Sequence, residues 1–141
     1  MISLALATQL KEAGLVWRTT VHDFFAIPDR DLDSRVFVLS DMMATMEVLR
    51  GWPAVVFHGT SEWALDYLLT HDAVWLPTEE QLRQELETIL GKNPAWQLSL
   101  RGKTGEYVCE IVEGATPLLF PAPTASEAYT LALLHVLRSA Q

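Results

Sequence analysis

Hydrophobic and polar residues alternate with a period of two in three short runs near the C-terminal end of the chain. The period then changes to about 3.6 residues after Pro123, where Thr124 and Glu127 begin a helical pattern. This change is typical of a β-meander that is closed by a helix. The alternating apolar residues are Trp96, Leu98 and Leu100 in the first run, Tyr107, Cys109 and Ile111 in the second, and Leu118 and Phe120 in the third.

The same patterns predict about five helices and about six or seven strands along the whole chain. Helical spacing of apolar residues, followed in most cases by glycine, places the predicted helices at 2–13, 41–50, 60–69, 78–90 and 125–138. Besides the meander, extended character or short apolar runs place predicted strands within 15–27 and at 36–39, 54–57 and 73–76. The class is therefore α+β, a mostly antiparallel sheet with helices packed on it.

Two helix starts carry a capping signature. Thr78 with Gln81, and Thr124 with Glu127, have the spacing of a capping box, in which the first side chain bonds the N3 backbone and the N3 side chain reaches back. We expect one domain over residues 1–141, in two structural halves, 1–90 and 95–141, joined by the short loop 91–94.

The final helix is unusual because its apolar residues cover nearly the whole circumference. Only Thr130, His135 and Arg138 interrupt them, so the helix is either sandwiched between other elements or lies at an interface. We favour an interface and expect a homodimer or another protein partner. The expected contact residues are Tyr129, Leu133, Leu134 and Leu137.

Composition and charge narrow the function classes. Half of the 141 residues are hydrophobic, which is consistent with an apolar patch that a partner covers. The net charge of −8 disfavours binding to nucleic acid and to anionic membrane surfaces. The short apolar start lacks the basic residues of a secretory signal, and no long apolar segment is present, so we expect a cytoplasmic protein.

Candidate chemistry is sparse. Cys109 is the only cysteine, which excludes an intrachain disulfide and a CxxC motif, and we expect no cofactor and no catalytic residue. The most site-like place follows the strand at 54–57, where a ligand pocket could form at a strand end and a helix start. Its residues are His58, Thr60, Ser61 and Glu62.

An acidic loop offers a second and weaker candidate. Asp29, Asp31 and Asp33 have the opening spacing of a calcium loop, and weak binding of a divalent ion remains open. Ser34 and Ser40 stand where an EF-hand needs glycine and glutamate, so a solvated acidic loop is the preferred interpretation.

Two segments resemble a known type of protein. The strand-to-helix junction 75–82 and the tail 106–129, with its Tyr-x-Cys strand and Thr-x-x-Glu-Ala helix, resemble small bacterial and phage-associated proteins of the phage-type α-β-α sandwich. The resemblance covers about a third of the chain and implies no activity that could be carried onto its residues. It implies an accessory protein of bacterial, phage or mobile-element origin.

The sequence therefore predicts a small protein of unknown process that acts without catalysis, through protein association, and that self-associates. The alternative is a small ligand-binding or enzymatic domain with its pocket near His58.

Overall fold

The computed structural model describes residues 1–28, 36–39, 44–49, 51–57 and 67–140. This part of the chain contains three α-helices and nine strands, which confirms the predicted α+β class. The helices are α1 (Leu4–Glu12), α2 (Glu79–Leu90) and α3 (Ala125–Ser139). The strands are β1 (Phe24–Ala26), β2 (Phe37–Val38), β3 (Ala44–Leu49), β4 (Trp52–Phe57), β5 (Tyr67–Leu69), β6 (Val74–Trp75), β7 (Gln97–Lys103), β8 (Glu106–Val112) and β9 (Leu118–Ala122).

The strands form three antiparallel sheets of three strands each in the described residues. Sheet A has the order β2-β1-β6, sheet B the order β3-β4-β5 and sheet C the order β7-β8-β9. Sheet C is the predicted meander, so the alternating runs did predict both its strands and their antiparallel pairing. None of the helices in the described part is long and apolar enough to cross a membrane.

The chain divides into two compact units. Unit 1 combines Met1–Leu15 with Pro77–Gln141, and unit 2 is Val16–Leu76. This division differs from the predicted halves 1–90 and 95–141. The reason is that α1 and α2 both pack against α3, so the loop at 91–94 lies inside unit 1 instead of separating two halves.

Helix α2 shows how the predicted caps are realised. The Thr78 hydroxyl accepts from the Gln81 backbone N–H at 3.3 Å, and the Gln81 side chain accepts from the Thr78 N–H at 2.9 Å, so the capping box is complete. At α3 only half of the box forms: Thr124 accepts from the Glu127 N–H, but the Glu127 carboxylate bonds the Thr124 hydroxyl instead of its backbone. Both helix starts therefore lie where the sequence predicts them.

Sheet C has one face toward the helices of unit 1. Cys109 and Ile111 on this face are fully buried, and α3 packs against β8 and β9. At the β7–β8 turn, Gly102 lies opposite Tyr107, and a Cβ atom on Gly102 would come within 2.5 Å of the Tyr107 ring. Glycine thus lets the tyrosine ring lie across the neighbouring strand.

Unit 2 has its own apolar cluster. Phe25, Ile27, Leu39 and Ala73 are buried together, with the partly buried Trp17 and Phe37 packed against them. Strand β2, at the predicted strand 36–39, pairs antiparallel with β1.

Two helix predictions in unit 2 are wrong for the residues that the structure describes. Residues 44–49 form strand β3, and residues 67–69, the end of the helix predicted at 60–69, form strand β5. The spacing of Met42, Met46 and Leu49 suits a helix, but Ala44, Met46 and Val48 also alternate as a strand does. Gly51, with φ of +84°, lies between the paired residues Leu49 and Trp52, so the chain turns there into a β-hairpin.

Candidate functional site

The two candidate sites predicted from sequence fall on residues that the structure does not describe. His58, Thr60, Ser61 and Glu62 lie outside the described ranges, and so do Asp29, Asp31 and Asp33. Within the described residues, no group of three or more histidine, cysteine, aspartate or glutamate side chains is arranged to hold a metal ion.

Asp23 is the one buried carboxylate in the described part of the chain, and two of its contacts lie within a turn. It accepts hydrogen bonds from the indole N–H of Trp17 and from the Thr20 backbone N–H, both at 2.9 Å. The preceding residue, His22, is exposed, has φ of +75° and donates its backbone N–H to the Leu39 carbonyl at 2.7 Å. The two donors thus satisfy the carboxylate of the buried Asp23.

The other His-Asp pair lies on the surface. His71 Nε2 is 3.5 Å from Asp72 Oδ1 in the short 3₁₀ turn Thr70–Asp72, with both side chains substantially exposed. The ring of His71 meets the exposed ring of Trp52 edge-on, at 5.2 Å between centroids. The pair is a surface contact, and exposed ion pairs contribute little to the free energy of folding.

Helix α3 is sandwiched between other elements of unit 1. Its apolar circumference was compatible with this arrangement as well as with the interface that we favoured. It packs against α1, α2, β8 and β9. Tyr129, Leu133 and Leu134, which we expected at an interface, are buried in the chain's own core, and Leu137 is half-buried. Three covering elements, α1, α2 and sheet C, explain the apolar circumference without a partner, so these side chains offer little area for a contact.

One narrow stripe of α3 does face the solvent. Leu131, His135 and Arg138 are exposed, and the half-buried Glu127 continues the same line one turn earlier. The spacings of four, four and three residues place these side chains on one face of the helix. We call these four residues the α3 stripe. The sequence pattern did not reveal this stripe, because Leu131 counts among the apolar residues of the helix. The spacing of Leu131 from His135 and Arg138 was nevertheless a usable signal that the three share a face.

Two open depressions flank the α3 stripe, and His135 lines both. The first, of about 340 Å³, also involves Leu131, Arg138 and Gln9 of α1. The second, of about 320 Å³, also involves Leu118 at the start of β9. The ring of His135 lies 5.4 Å from the ring of Phe120.

The accessible apolar surface here comes from two elements. Leu131 of α3 is 37% exposed and Leu118 of β9 is 38% exposed. The charged side chains that line the depressions are Arg138, Lys92 and Glu113. The result is a shallow surface whose apolar side chains are bordered by charged ones, as is usual in a protein–protein interface.

In the part of the chain that the structure describes, β9 is an edge strand of sheet C, and this edge is poorly suited to strand addition. Pro121 pairs with Val108 and has no N–H, so the bonds between β8 and β9 fall on the alternate pairs such as Cys109 with Phe120. Pro117 and Pro123 occupy the same alternate positions as Pro121. Leu119 is therefore the one residue of β9 whose N–H points away from β8. The prolines thus leave this edge with few N–H donors for pairing with another strand.

Cys109 is an inert thiol in this fold. It is fully buried in β8, and burial raises the pKa of the Cys109 thiol from 9.0 to about 11. Burial also raises the pKa of the neighbouring Tyr129 hydroxyl. The thiolate, which is the nucleophilic form, is therefore suppressed at neutral pH.

We expect this burial to make the protein less stable as the pH rises from 9 to 11. In that window the unfolded chain releases the Cys109 proton while the folded chain keeps it, so ionisation favours unfolding. Urea unfolding of the wild type and of Cys109→Ala at pH 8 and at pH 10.5 measures the effect. The variant should lose less stability between the two pH values, although Tyr129 contributes in the same direction to both proteins.

Equal losses in the two proteins would contradict this account of Cys109. So would rapid labelling of the folded wild type by a thiol reagent at neutral pH.

Comparison with known proteins returned no relatives: no family model, no curated protein and no solved structure matches this chain.

Proposed function

We propose that this protein is a non-catalytic association module that self-associates through the α3 stripe and the adjoining surface of β9. The observation that carries the proposal is the exposure of Leu131 on a helix whose other apolar side chains are buried or half-buried, next to the exposed Leu118. Exposed apolar residues at a shallow surface with a charged border mark places where proteins bind one another.

The charge distribution favours this surface for contact between two copies. Each copy has a net charge of −8, so two copies repel one another at most approaches. Residues 114–126, which include β9, contain no charged side chain. The α3 stripe itself carries one acidic residue, Glu127, and one basic residue, Arg138, so it adds no net negative charge.

The size of the surface predicts weak association. Helix α3 has 15 residues, which corresponds to a length of about 22 Å. A single helix face of this length buries much less than the approximately 800 Å² per partner of a standard stable interface. We therefore expect a dimer that dissociates on dilution.

Sedimentation equilibrium over low to high micromolar concentration tests the proposal. The average mass should rise from 15.8 kDa towards twice that value as the concentration increases. A mass that stays at 15.8 kDa at every concentration would refute self-association.

A further inference from the structure

We infer that the second copy binds with its α3 antiparallel to the first, so that Glu127 of each copy pairs with Arg138 of the other. This inference rests on the proposed function and specifies how the two copies meet. The α3 stripe presents, in order, an acidic, an apolar, an imidazole and a basic side chain: Glu127, Leu131, His135 and Arg138.

The order of these side chains makes the stripe complementary to itself. A twofold axis near the middle of the stripe places Glu127 opposite Arg138 of the partner subunit, and Leu131 opposite His135 of the partner subunit. Because the axis generates each contact twice, the interface has two ion pairs and two contacts between leucine and imidazole. Such isologous contacts are the commonest arrangement in homodimers.

A parallel arrangement has the opposite electrostatics. It would place Glu127 opposite Glu127 of the partner subunit and Arg138 opposite Arg138 of the partner subunit. Like charges in direct contact oppose association, so the charge order selects the antiparallel arrangement.

Contact through the sheet edges is less favourable than contact through the helix. Pro121 removes an outward N–H from β9, as described above. The other edge strand of sheet C, β7, bears the exposed Arg101 and Lys103, and charged side chains on an edge strand oppose pairing with another chain. Contact through the α3 stripe does not depend on backbone pairing between strands, so neither obstacle applies to it.

The local contacts of the two charged residues leave them able to pair across the axis. Glu127 Oε2 accepts from the Thr124 hydroxyl at 3.0 Å, which uses one of its two carboxylate oxygens. Arg138 donates to the Gln9 side chain at 3.4 Å, a long bond that leaves most of the guanidinium donors available.

Charge reversal on each side of the proposed pair gives a test that distinguishes it from other contacts. Glu127→Lys alone and Arg138→Glu alone should each weaken self-association about tenfold, because each places like charges together at both symmetric positions. An equimolar mixture of the two variants should form a heterodimer about as tightly as the wild type forms its homodimer. In the mixture both charge pairs are opposite again, one of them reversed.

Matched variants control for effects on folding and on net charge. Glu80→Lys makes the same change in the first turn of α2, and Lys103→Glu makes a reversal on β7, so each reports the effect of net charge alone. Circular dichroism checks that α3 remains folded in each variant. If Glu127→Lys disturbs the helix start, Glu127→Gln still offers an oxygen to Thr124 and should weaken association about threefold through loss of charge alone.

The outcomes separate this inference from the proposed function. Weaker single variants together with a restored mixture support the antiparallel pair. A wild type that dimerises, with single variants that dimerise equally well or a mixture no tighter than either variant alone, would overturn the inference and leave self-association standing. A wild type that stays monomeric would overturn both.

Discussion

Replacement of Leu133 by alanine is expected to lower the free energy of unfolding by about 2–5 kcal/mol. Leu133 lies in the middle of α3 and is fully buried, where α3 is enclosed by α1, α2 and sheet C. Removing its methyl groups loses the free energy of their transfer from water into the core. It also leaves a cavity that the three surrounding elements, which are closely packed, cannot fill.

Urea unfolding at neutral pH, followed by circular dichroism, measures this loss. Leu131→Ala is the matched control, because it makes the same change two residues earlier on the exposed stripe and should cost about 0.5 kcal/mol or less. Equal losses at the two positions would show that α3 is not sandwiched in the way described.

Replacement of Leu131 by lysine is expected to abolish self-association in the micromolar range without a comparable loss of stability. The change removes the main exposed apolar side chain of α3 and places a cation opposite His135 of the partner subunit. Stability should hold within about 0.5 kcal/mol, because Leu131 is a surface position and the introduced lysine would follow Glu127 at a favourable spacing of four.

The lysine substitution also makes the net charge of each copy less negative, which reduces the general repulsion between copies. Any weakening must then come from the local contact. Leu119→Lys is the control, since Leu119 is 53% exposed on the face of sheet C that points away from α3. Sedimentation equilibrium should show association in Leu119→Lys and its loss in Leu131→Lys, and the reverse result would place the contact on the sheet.

The sequence predicted the elements whose local signals agree with one another. Helix α2 combines a capping box with a regular apolar face, and the meander alternates cleanly, so both are found where predicted. Strand β3 was predicted as a helix because its apolar residues satisfy two periods at once, and only pairing with β4 decides between them.

The candidate surface was harder to predict from sequence. The apolar circumference of α3 is compatible with a buried helix and with an interface, and the choice depends on how many elements cover it. Tyr129 and Leu133 are covered by other parts of the same unit, whereas Leu131 is partly open. A sequence pattern gives the direction of each side chain around a helix but not the neighbours that lie there.

The location of the contact can be measured directly by recording ¹H–¹⁵N spectra of the wild type during dilution. Amide resonances of Glu127, Leu131, His135 and Arg138 should shift together with concentration, with a single dissociation constant. Resonances of Ser99 and Arg101, on the opposite face of sheet C, should stay constant. Constant spectra throughout, or concentration-dependent shifts confined to residues away from α3, would contradict self-association through the α3 stripe.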